Sequence, residues 1–283
     1  MVSLERELEQ LSEMGFSLSL ETAQNLGRLH LSEIWAEIFW RRREQHATRE
    51  DPEVARVFQT NPQRILEIGA AYGRVTRKIA EYKEQLNSNS EICGIELCPY
   101  FDRFFSQYSN EFQVLNQVQM IFDDFFSSQA LVSHSFDVIV LPMNTFPSFP
   151  IEQLAQLLQR TRELLSPDGR FIFSTYKLAK GIRPVEAQHS GEIRVAAGQG
   201  PIIGEFFQLP SQATGYGARL VTYMHYTRLN EDHQKVQSYI FRTIQELIRH
   251  ETLESMISDN GFAVTLSDDS SHSRVYGLEP QRT

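Results

Sequence analysis

The middle of the chain alternates between short apolar runs and longer stretches in which apolar residues recur every three or four positions. Short runs rich in β-branched residues that stop at a glycine or an acidic residue are typical of buried strands. The longer stretches are typical of amphipathic helices that pack on a sheet. Predicted strands cover residues 64–68, 91–97, 118–122, 135–141 and 170–176, and predicted helices cover 74–86, a segment from Pro99, and 151–165. Because helices separate the strands, we expect a doubly wound α/β sheet.

Residues 1–60 have a helical pattern without strands. Leu4, Leu8 and Leu11 recur at helical spacing, and Ser32 is placed to cap a second helix. A further short helix is expected after Pro52. These residues are predicted to form an N-terminal helical segment that packs on the main domain or acts as a lid over its binding cleft.

Residues 181–245 show a third pattern. The runs 219–229 and 235–244 alternate in polarity and are joined by a polar turn, which indicates an antiparallel pair of strands. We therefore expect an antiparallel insertion here. The main domain then consists of residues 61–180 and 246–283, the latter with a helix at 250–260 and final strands at 262–266 and 273–278.

Composition limits the partners and the compartment. The 283 residues are 41% hydrophobic, which suffices for one large core or for a core with an added lobe. A formal net charge of -9 makes nucleic acid an unexpected partner. No apolar run approaches the roughly 20 residues of a membrane span. The acidic N-terminus is unlike a signal peptide, and two cysteines do not make a disulfide framework. A cytoplasmic protein without membrane contact is expected.

The stretch from Leu66 to Gly73 carries the most chemical information. It reads Leu-Glu-Ile-Gly-Ala-Ala-Tyr-Gly, and it joins the first predicted strand to an amphipathic helix. Gly69 and Gly73 allow backbone to approach a ligand closely at a helix N-terminus. The stretch resembles the first motif of class I S-adenosylmethionine-dependent methyltransferases, in which Ala71 is usually glycine. If this position has a positive φ, its methyl group costs about 1 kcal/mol.

The resemblance continues in order along the chain, and it implies a Rossmann-like seven-stranded sheet with an antiparallel last strand. It also implies a set of cofactor-binding residues. Glu96, which closes the second strand, would accept hydrogen bonds from the ribose hydroxyls, and Asp124 or its neighbour Asp123 would contact the adenine amino group. The full predicted set is Glu67, Gly69, Ala71, Tyr72, Gly73, Glu96, Leu97, Asp124, Phe125 and Leu141.

Acceptor-side residues are expected beyond the fourth and fifth strands, because ligands of open α/β sheets bind at the carboxyl ends of strands. Asn144 and Tyr176 follow those strands and are catalytic candidates, together with His225 as a proton acceptor. Substrate-binding candidates are His189, Arg219 and Tyr223. The alternation of the run 219–229 places Arg219, Tyr223 and His225 on one face, which could instead pack on the sheet or on another subunit.

Three functions are compatible with these patterns. The first is methyl transfer from S-adenosylmethionine to nitrogen or oxygen of a small molecule or peptide, without a metal ion and with a homodimer possible. The second is a non-catalytic S-adenosylmethionine-binding protein that keeps the fold. The third is an NAD(P)-dependent oxidoreductase, which the spacing of Gly69 and Gly73 disfavours. Tyr176 and Lys180 match a Tyr-x-x-x-Lys motif of that class, but Tyr176 follows a strand instead of lying on a helix.

Overall fold

The computed structural model describes residues 3–43, 51–132, 135–176, 188–195, 201–230, 232–269 and 273–281, with backbone only for 188–195. The chain divides into two compact units. The seven-stranded unit consists of residues 45–177 and 249–283. The five-stranded unit consists of residues 1–44 and 178–248.

The seven-stranded unit is built on a mixed sheet in the order β11-β12-β5-β4-β1-β2-β3. Strands β1 to β5 run parallel, and β12 is antiparallel to both of its neighbours. This confirms the predicted Rossmann-like fold with an antiparallel last strand. The strands are β1 (Arg64–Ile68), β2 (Glu91–Glu96), β3 (Val118–Phe122), β4 (Phe136–Leu141), β5 (Leu165–Tyr176), β11 (Phe262–Asp269) and β12 (Ser273–Pro280).

Helices connect these strands and bury apolar faces against the sheet. Val75 and Ile79 of the helix at residues 74–85 pack with Ile65 and Val138 in the central hydrophobic cluster, as the spacing of apolar residues predicts. The helices of this unit are α4 (Val54–Val57), α5 (Arg74–Gln85), α6 (Asp102–Glu111), α7 (Ile151–Leu164) and α8 (His250–Asp259).

Strand β5 begins earlier than predicted. It starts at Leu165, which pairs with Phe136, and regular pairing resumes only where Arg170 opposes Val138. Residues 166–169 are therefore an irregularity within the strand. The geometry allows this because a Cβ at Gly169 would lie 2.9 Å from the Phe136 carbonyl oxygen, so only glycine passes this close to β4.

The five-stranded unit is an antiparallel sheet in the order β10-β9-β7-β6, with β8 added beside β9. The predicted hairpin of β9 and β10 is present, and both strands extend beyond their predicted bounds. The strands are β6 (Gln188–Val195), β7 (Ile202–Gln208), β8 (Gln212–Thr214), β9 (Gly217–Leu229) and β10 (Lys235–Ile248).

The N-terminal helices α1 (Leu4–Glu13), α2 (Leu20–Gln24) and α3 (Glu33–Arg41) belong to this second unit. Leu11 packs with Val221 and Tyr223, whereas Ile34 and Ile38 pack with Tyr226 and Phe241. Odd and even positions of β9 point to opposite faces, so helices cover both faces of the sheet. The chain therefore has two units where three parts were predicted, and the N-terminal segment of the fold ends near residue 44 instead of residue 60.

Candidate functional site

The carboxyl ends of the parallel strands collect the polar residues of the seven-stranded unit. Gly69 follows β1, Glu96 closes β2, Asp124 follows β3, and Asn144 follows β4. Since parallel strands end at one edge of a sheet, these residues share that edge, which we call the carboxyl edge. It is the place where the sequence predicts a cofactor.

The turn after β1 is built from backbone with positive φ. Gly69, Ala71 and Gly73 have φ values of 74°, 50° and 90°. A Cβ added at Gly69 would meet nothing nearer than a methyl carbon of Thr145 at 3.7 Å, so this backbone is open on its ligand side. One added at Gly73 would lie 2.9 Å from the Phe105 ring, so packing as well as φ requires glycine there. Ala71 therefore holds the left-handed conformation that costs an alanine about 1 kcal/mol.

Glu96 fixes this turn to the end of β2. Its Oε2 accepts a hydrogen bond from the Ala71 N–H at 2.9 Å, and its Oε1 accepts one from the Cys98 N–H at 2.8 Å. Burial raises the pKa of Glu96 above its usual value, although these backbone hydrogen bonds oppose the increase. Each carboxylate oxygen can accept a second hydrogen bond. Glu96 thus anchors the turn and still offers acceptors to a ligand with two hydroxyls.

Glu67 lies beneath the turn and is 1% exposed. The Thr76 hydroxyl donates to its Oε2. Burial raises the pKa of Glu67 to about 7, while the Thr76 hydrogen bond and the nearby Arg74 act in the opposite direction. This carboxyl is therefore partly protonated near neutral pH, and it stabilises the start of α5 from below.

The other predicted cofactor residues differ in what they expose. Leu97 is 40% exposed and presents an apolar side chain at the edge. Asp124 Oδ1 accepts from the Phe126 N–H at 2.9 Å, and Asp123 Oδ1 accepts from the Asp124 N–H at 2.8 Å. The Tyr72 side chain is fully buried with its ring against Tyr108. Phe125 and Leu141 are likewise buried. Because the whole Tyr72 residue is 0% exposed, the structure gives its side chain no free surface, and its role in cofactor binding stays a prediction.

The backbone after β4 is unusual. Met143 and Asn144 have φ values of 61° and 54°, and two successive non-glycine residues in this region are rare. The Asn144 N–H donates to Ser174 Oγ at 2.8 Å, and its Nδ2 donates to Ser273 Oγ at 2.8 Å. Its Oδ1 is buried without a hydrogen-bond partner in the part of the chain that the structure describes. Such strained backbone persists where surrounding contacts hold it, commonly at functional sites.

Residues just before α4 complete the edge, and the sequence analysis missed them. Asp51 accepts two hydrogen bonds from Arg74, at 2.6 and 2.7 Å, and one from Lys78 at 2.6 Å. Burial alone would raise the pKa of Asp51, but these two cations lower it below its usual value. Glu53 Oε1 accepts from the Met143 N–H at 3.1 Å. Arg74 could have indicated that an acidic partner exists. A cation at a helix N-terminus interacts unfavourably with the helix dipole, so its presence there suggests a nearby carboxylate.

Comparisons with known proteins agree with this geometry. A family model described as a methyltransferase domain matches residues 66–171. No curated protein matches the chain by sequence. Among solved structures, the methyltransferase CcbJ from Streptomyces caelestis is 15% identical with a TM-score of 0.61, covering 89% of this chain and 93% of its own.

Two further structures are similar to the chain over comparable lengths. The sugar N-methyltransferase KedS8 from Streptoalloteichus sp ATCC 53650 is 14% identical with a TM-score of 0.61, covering 87% of this chain and 92% of its own. An S-adenosylmethionine-dependent methyltransferase from Clostridium acetobutylicum ATCC 824 is 11% identical with a TM-score of 0.60, covering 88% and 98%. These structures share the fold of the chain, and residues 66–171 match a methyltransferase domain. The seven-stranded unit is thereby identified as an S-adenosylmethionine-dependent methyltransferase domain.

The carboxyl edge of this methyltransferase fits its cofactor. The open backbone at Gly69, the acceptor atoms of Glu96 and the exposed Leu97 suit a ribose and an adenine ring. The unpartnered Oδ1 of Asn144 suits the positively charged methionine end. The bound cofactor supplies a methyl group on a cationic sulfur. Within the described residues, no His, Cys, Asp or Glu cluster could hold a metal ion, and no helix could span a membrane.

The acceptor candidates of the methyltransferase are distributed over both units. Tyr176 ends β5 and is 38% exposed. His189 lies in β6, outside the residues whose side chains are described. His225 Nδ1 lies 3.3 Å from Glu205 Oε2, and its Nε2 lies 3.3 Å from Ser238 Oγ. Glu205 is thus placed to orient the imidazole, and the Phe16 ring packs against it with centroids 5.7 Å apart, on the face of β9 that also carries Tyr223. The role of His225 as a base stays a prediction.

Arg219 and Tyr223 each pair with a glutamate, and the substrate-binding role of Arg219 stays a prediction. The Tyr223 side chain is fully buried under α1, and its hydroxyl donates to Glu7 Oε2 at 2.9 Å. Burial raises the pKa of Tyr223, which keeps it protonated. Arg219 donates to Glu246 Oε1 at 2.6 Å and 2.9 Å. The prediction that this face presents Tyr223 to an acceptor is wrong for this structure, because α1 covers that part of the sheet.

Proposed function

We propose that this methyltransferase acts on a small molecule or peptide, and that the methylated atom is nitrogen. The observation that carries the proposal is the extent of the match to the sugar N-methyltransferase KedS8. That match covers 87% of the chain, so it includes much of the five-stranded unit as well as the methyltransferase domain. A shared unit outside the cofactor domain supports a shared class of acceptor.

The chemistry of nitrogen acceptors is consistent with the residues of this chain. An amine must lose its proton before it attacks the methyl group, and a side chain placed beside the amine can act as the base that accepts this proton. We infer that His225 is this base and that Glu205 fixes the orientation of its ring. Oxygen acceptors need a stronger activation of the hydroxyl group. Hydroxyl methylation is the alternative that the experiment below must separate from N-methylation.

Binding measurements test the cofactor first. Calorimetry on the purified protein should show binding of S-adenosylmethionine and S-adenosylhomocysteine and none of NAD. NAD binding without S-adenosylhomocysteine binding would favour the oxidoreductase hypothesis. Turnover is then screened with methyl-labelled cofactor against amino sugars, the matching hydroxy sugars and amine-bearing peptides. Labelled amino compounds alone support N-methylation, and labelled hydroxy sugars identify an O-methyltransferase.

Substitution of the proposed base provides a second test. The His225→Gln variant keeps hydrogen-bonding atoms but cannot take a proton. Its kcat should fall by 10²- to 10⁴-fold, which is the usual contribution of a general base. Cofactor affinity should remain within twofold of the wild-type value. His233→Gln is the matched control, since His233 lies in the turn after β9 and is exposed. If the two variants have equal kcat values, His225 is not the base.

A further inference from the structure

Glu53 is a buried carboxylate with one oxygen in use and one without a partner. The residue is 1% exposed, and it lies outside the residues that the methyltransferase family model matches. Its Oε1 accepts a hydrogen bond from the Met143 N–H at 3.1 Å, whereas its Oε2 has no hydrogen-bond partner in the described part of the chain. A buried carboxylate oxygen without a donor carries an uncompensated cost of desolvation. A donor from a ligand would remove that cost.

The neighbouring cations both pair with Asp51. Arg74 and Lys78 together donate three hydrogen bonds to it, and Arg74 Nη2 also lies 2.6 Å from Met143 Sδ. The second acceptor at this place is Asn144 Oδ1, which is also buried without a partner among the described residues. Met143, whose N–H Glu53 holds, directly precedes Asn144. Two acceptor atoms therefore border the end of β4, and no described side chain donates to either.

We propose that Glu53, together with Asn144, forms a subsite for an ammonium or amine group at the end of β4. Glu53 Oε2 supplies the negative charge, and Asn144 Oδ1 supplies a neutral acceptor. The inference rests on the proposed function, which brings two such groups to this edge. One is the α-ammonium of the cofactor's methionine part, and the other is the amine of the acceptor. Glu53 is in this view a binding residue, in addition to its support of the Met143 backbone.

The test of the subsite compares the affinities of the protein for two cofactor-related ligands, of which only one carries the α-ammonium group. S-Adenosylhomocysteine carries the amino-acid group, and 5′-methylthioadenosine lacks it while keeping the adenosine and the sulfur. Glu53→Gln keeps the shape and the Oε1 acceptor for Met143 but removes the charge. Its affinity for S-adenosylhomocysteine should fall at least tenfold, as expected for a charge-assisted hydrogen bond. Its affinity for 5′-methylthioadenosine should stay within twofold.

Glu91→Gln is the matched control, because Glu91 begins β2 at the opposite edge of the same sheet and its side chain is 72% exposed. It should leave both affinities unchanged. Asn144→Asp tests the same subsite by adding a negative charge, whereas Glu53→Gln removes one. The new carboxylate can accept from the Ser273 hydroxyl, and it should raise the preference for S-adenosylhomocysteine over 5′-methylthioadenosine. This second variant keeps the proposal testable if Glu53→Gln does not fold.

Each outcome has a defined meaning. If the wild type binds neither ligand, the proposed function fails, and the subsite fails with it. If Glu53→Gln weakens both ligands equally, Glu53 only shapes the backbone and the proposal is overturned. If neither affinity changes but KM for an amine acceptor rises tenfold, the subsite takes the acceptor's amine. If both affinities and that KM are unchanged, the proposal is overturned.

Discussion

Three buried glutamates in each unit are compensated in different ways, whereas Asp51 of the seven-stranded unit is paired with Arg74 and Lys78. In the five-stranded unit Glu7, Glu37 and Glu246 are each bonded to an arginine. In the seven-stranded unit the described hydrogen bonds of Glu53, Glu67 and Glu96 come from backbone N–H groups or a hydroxyl. All six are at most 9% exposed. We infer that the three arginine-paired glutamates support the five-stranded unit, and that the three glutamates with neutral donors lie where a cationic ligand binds.

The largest change in stability should come from breaking the ion pair between Glu7 and Arg242. Glu7 accepts hydrogen bonds from Arg242 and from the Tyr223 hydroxyl. Glu7→Gln should lower the free energy of unfolding by about 3 kcal/mol, the lower end for a buried pair because Arg242 is partly exposed. Urea denaturation measures this change. Affinity of the folded protein for S-adenosylhomocysteine should be unchanged.

Glu9→Gln is the control for that variant, since Glu9 is exposed on the same helix. It should change the free energy of unfolding by less than about 0.5 kcal/mol. Equal losses in the two variants would contradict the structural role of Glu7. A selective loss of cofactor affinity in Glu7→Gln would contradict the division of roles between the units.

The next effect depends on pH and concerns Glu67. Its pKa is raised from 4.5 in the unfolded chain to about 7 in the fold. The folded state therefore holds a proton that the unfolded state loses, and stability falls as pH rises from about 4.5 to about 7. Glu67→Gln lacks this titration, so its stability relative to wild type should increase by about 2 kcal/mol across that range. Thermal unfolding of both proteins at pH 5, 6, 7 and 8 measures it, and parallel curves would contradict the raised pKa.

Glu96→Ala should affect the cofactor first. Loss of a carboxylate that accepts from two ribose hydroxyls should lower affinity for S-adenosylhomocysteine at least tenfold. The variant also releases the Ala71 and Cys98 N–H groups, so a small loss of stability accompanies it. Glu91→Ala, at the exposed start of the same strand, is the control. An unchanged dissociation constant for Glu96→Ala would exclude it as a ribose ligand.

The smallest predicted effect is a gain in stability from a substitution at Ala71. Ala71 has a φ of 50°, a conformation that glycine adopts without strain. Ala71→Gly should raise the free energy of unfolding by about 1 kcal/mol and should not weaken cofactor binding. Ala70→Gly is the control, because Ala70 is buried and is not among the residues with positive φ. It should destabilise the protein, and a gain in both variants would rule out strain at Ala71.

The sequence predicts best what depends on neighbouring residues. Strand β3 has its predicted bounds, and the turn at Gly69 with its acidic partner Glu96 follows from short motifs. It predicts least where partners are distant. Tyr223 and Glu7 are separated by 216 positions, so the alternation of β9 showed which residues share a face but not that a helix covers it. Glu53 was missed for the same reason, because its role depends on Met143, 90 residues away.

Helices α1 to α3 pack on a sheet whose strands are synthesised much later than the helices. This separation in the sequence has a consequence for folding during synthesis. These helices are complete by Arg41, whereas among the described residues the first side chain of the sheet that packs with them is Ile202 of β7. At about 5–20 residues per second, the helices wait roughly 8–32 s for their partners. During that interval the apolar faces of the helices have no sheet on which to pack. The ribosome is then synthesising the central hydrophobic cluster of the seven-stranded unit. Early chaperone contact should therefore fall on the first 41 residues.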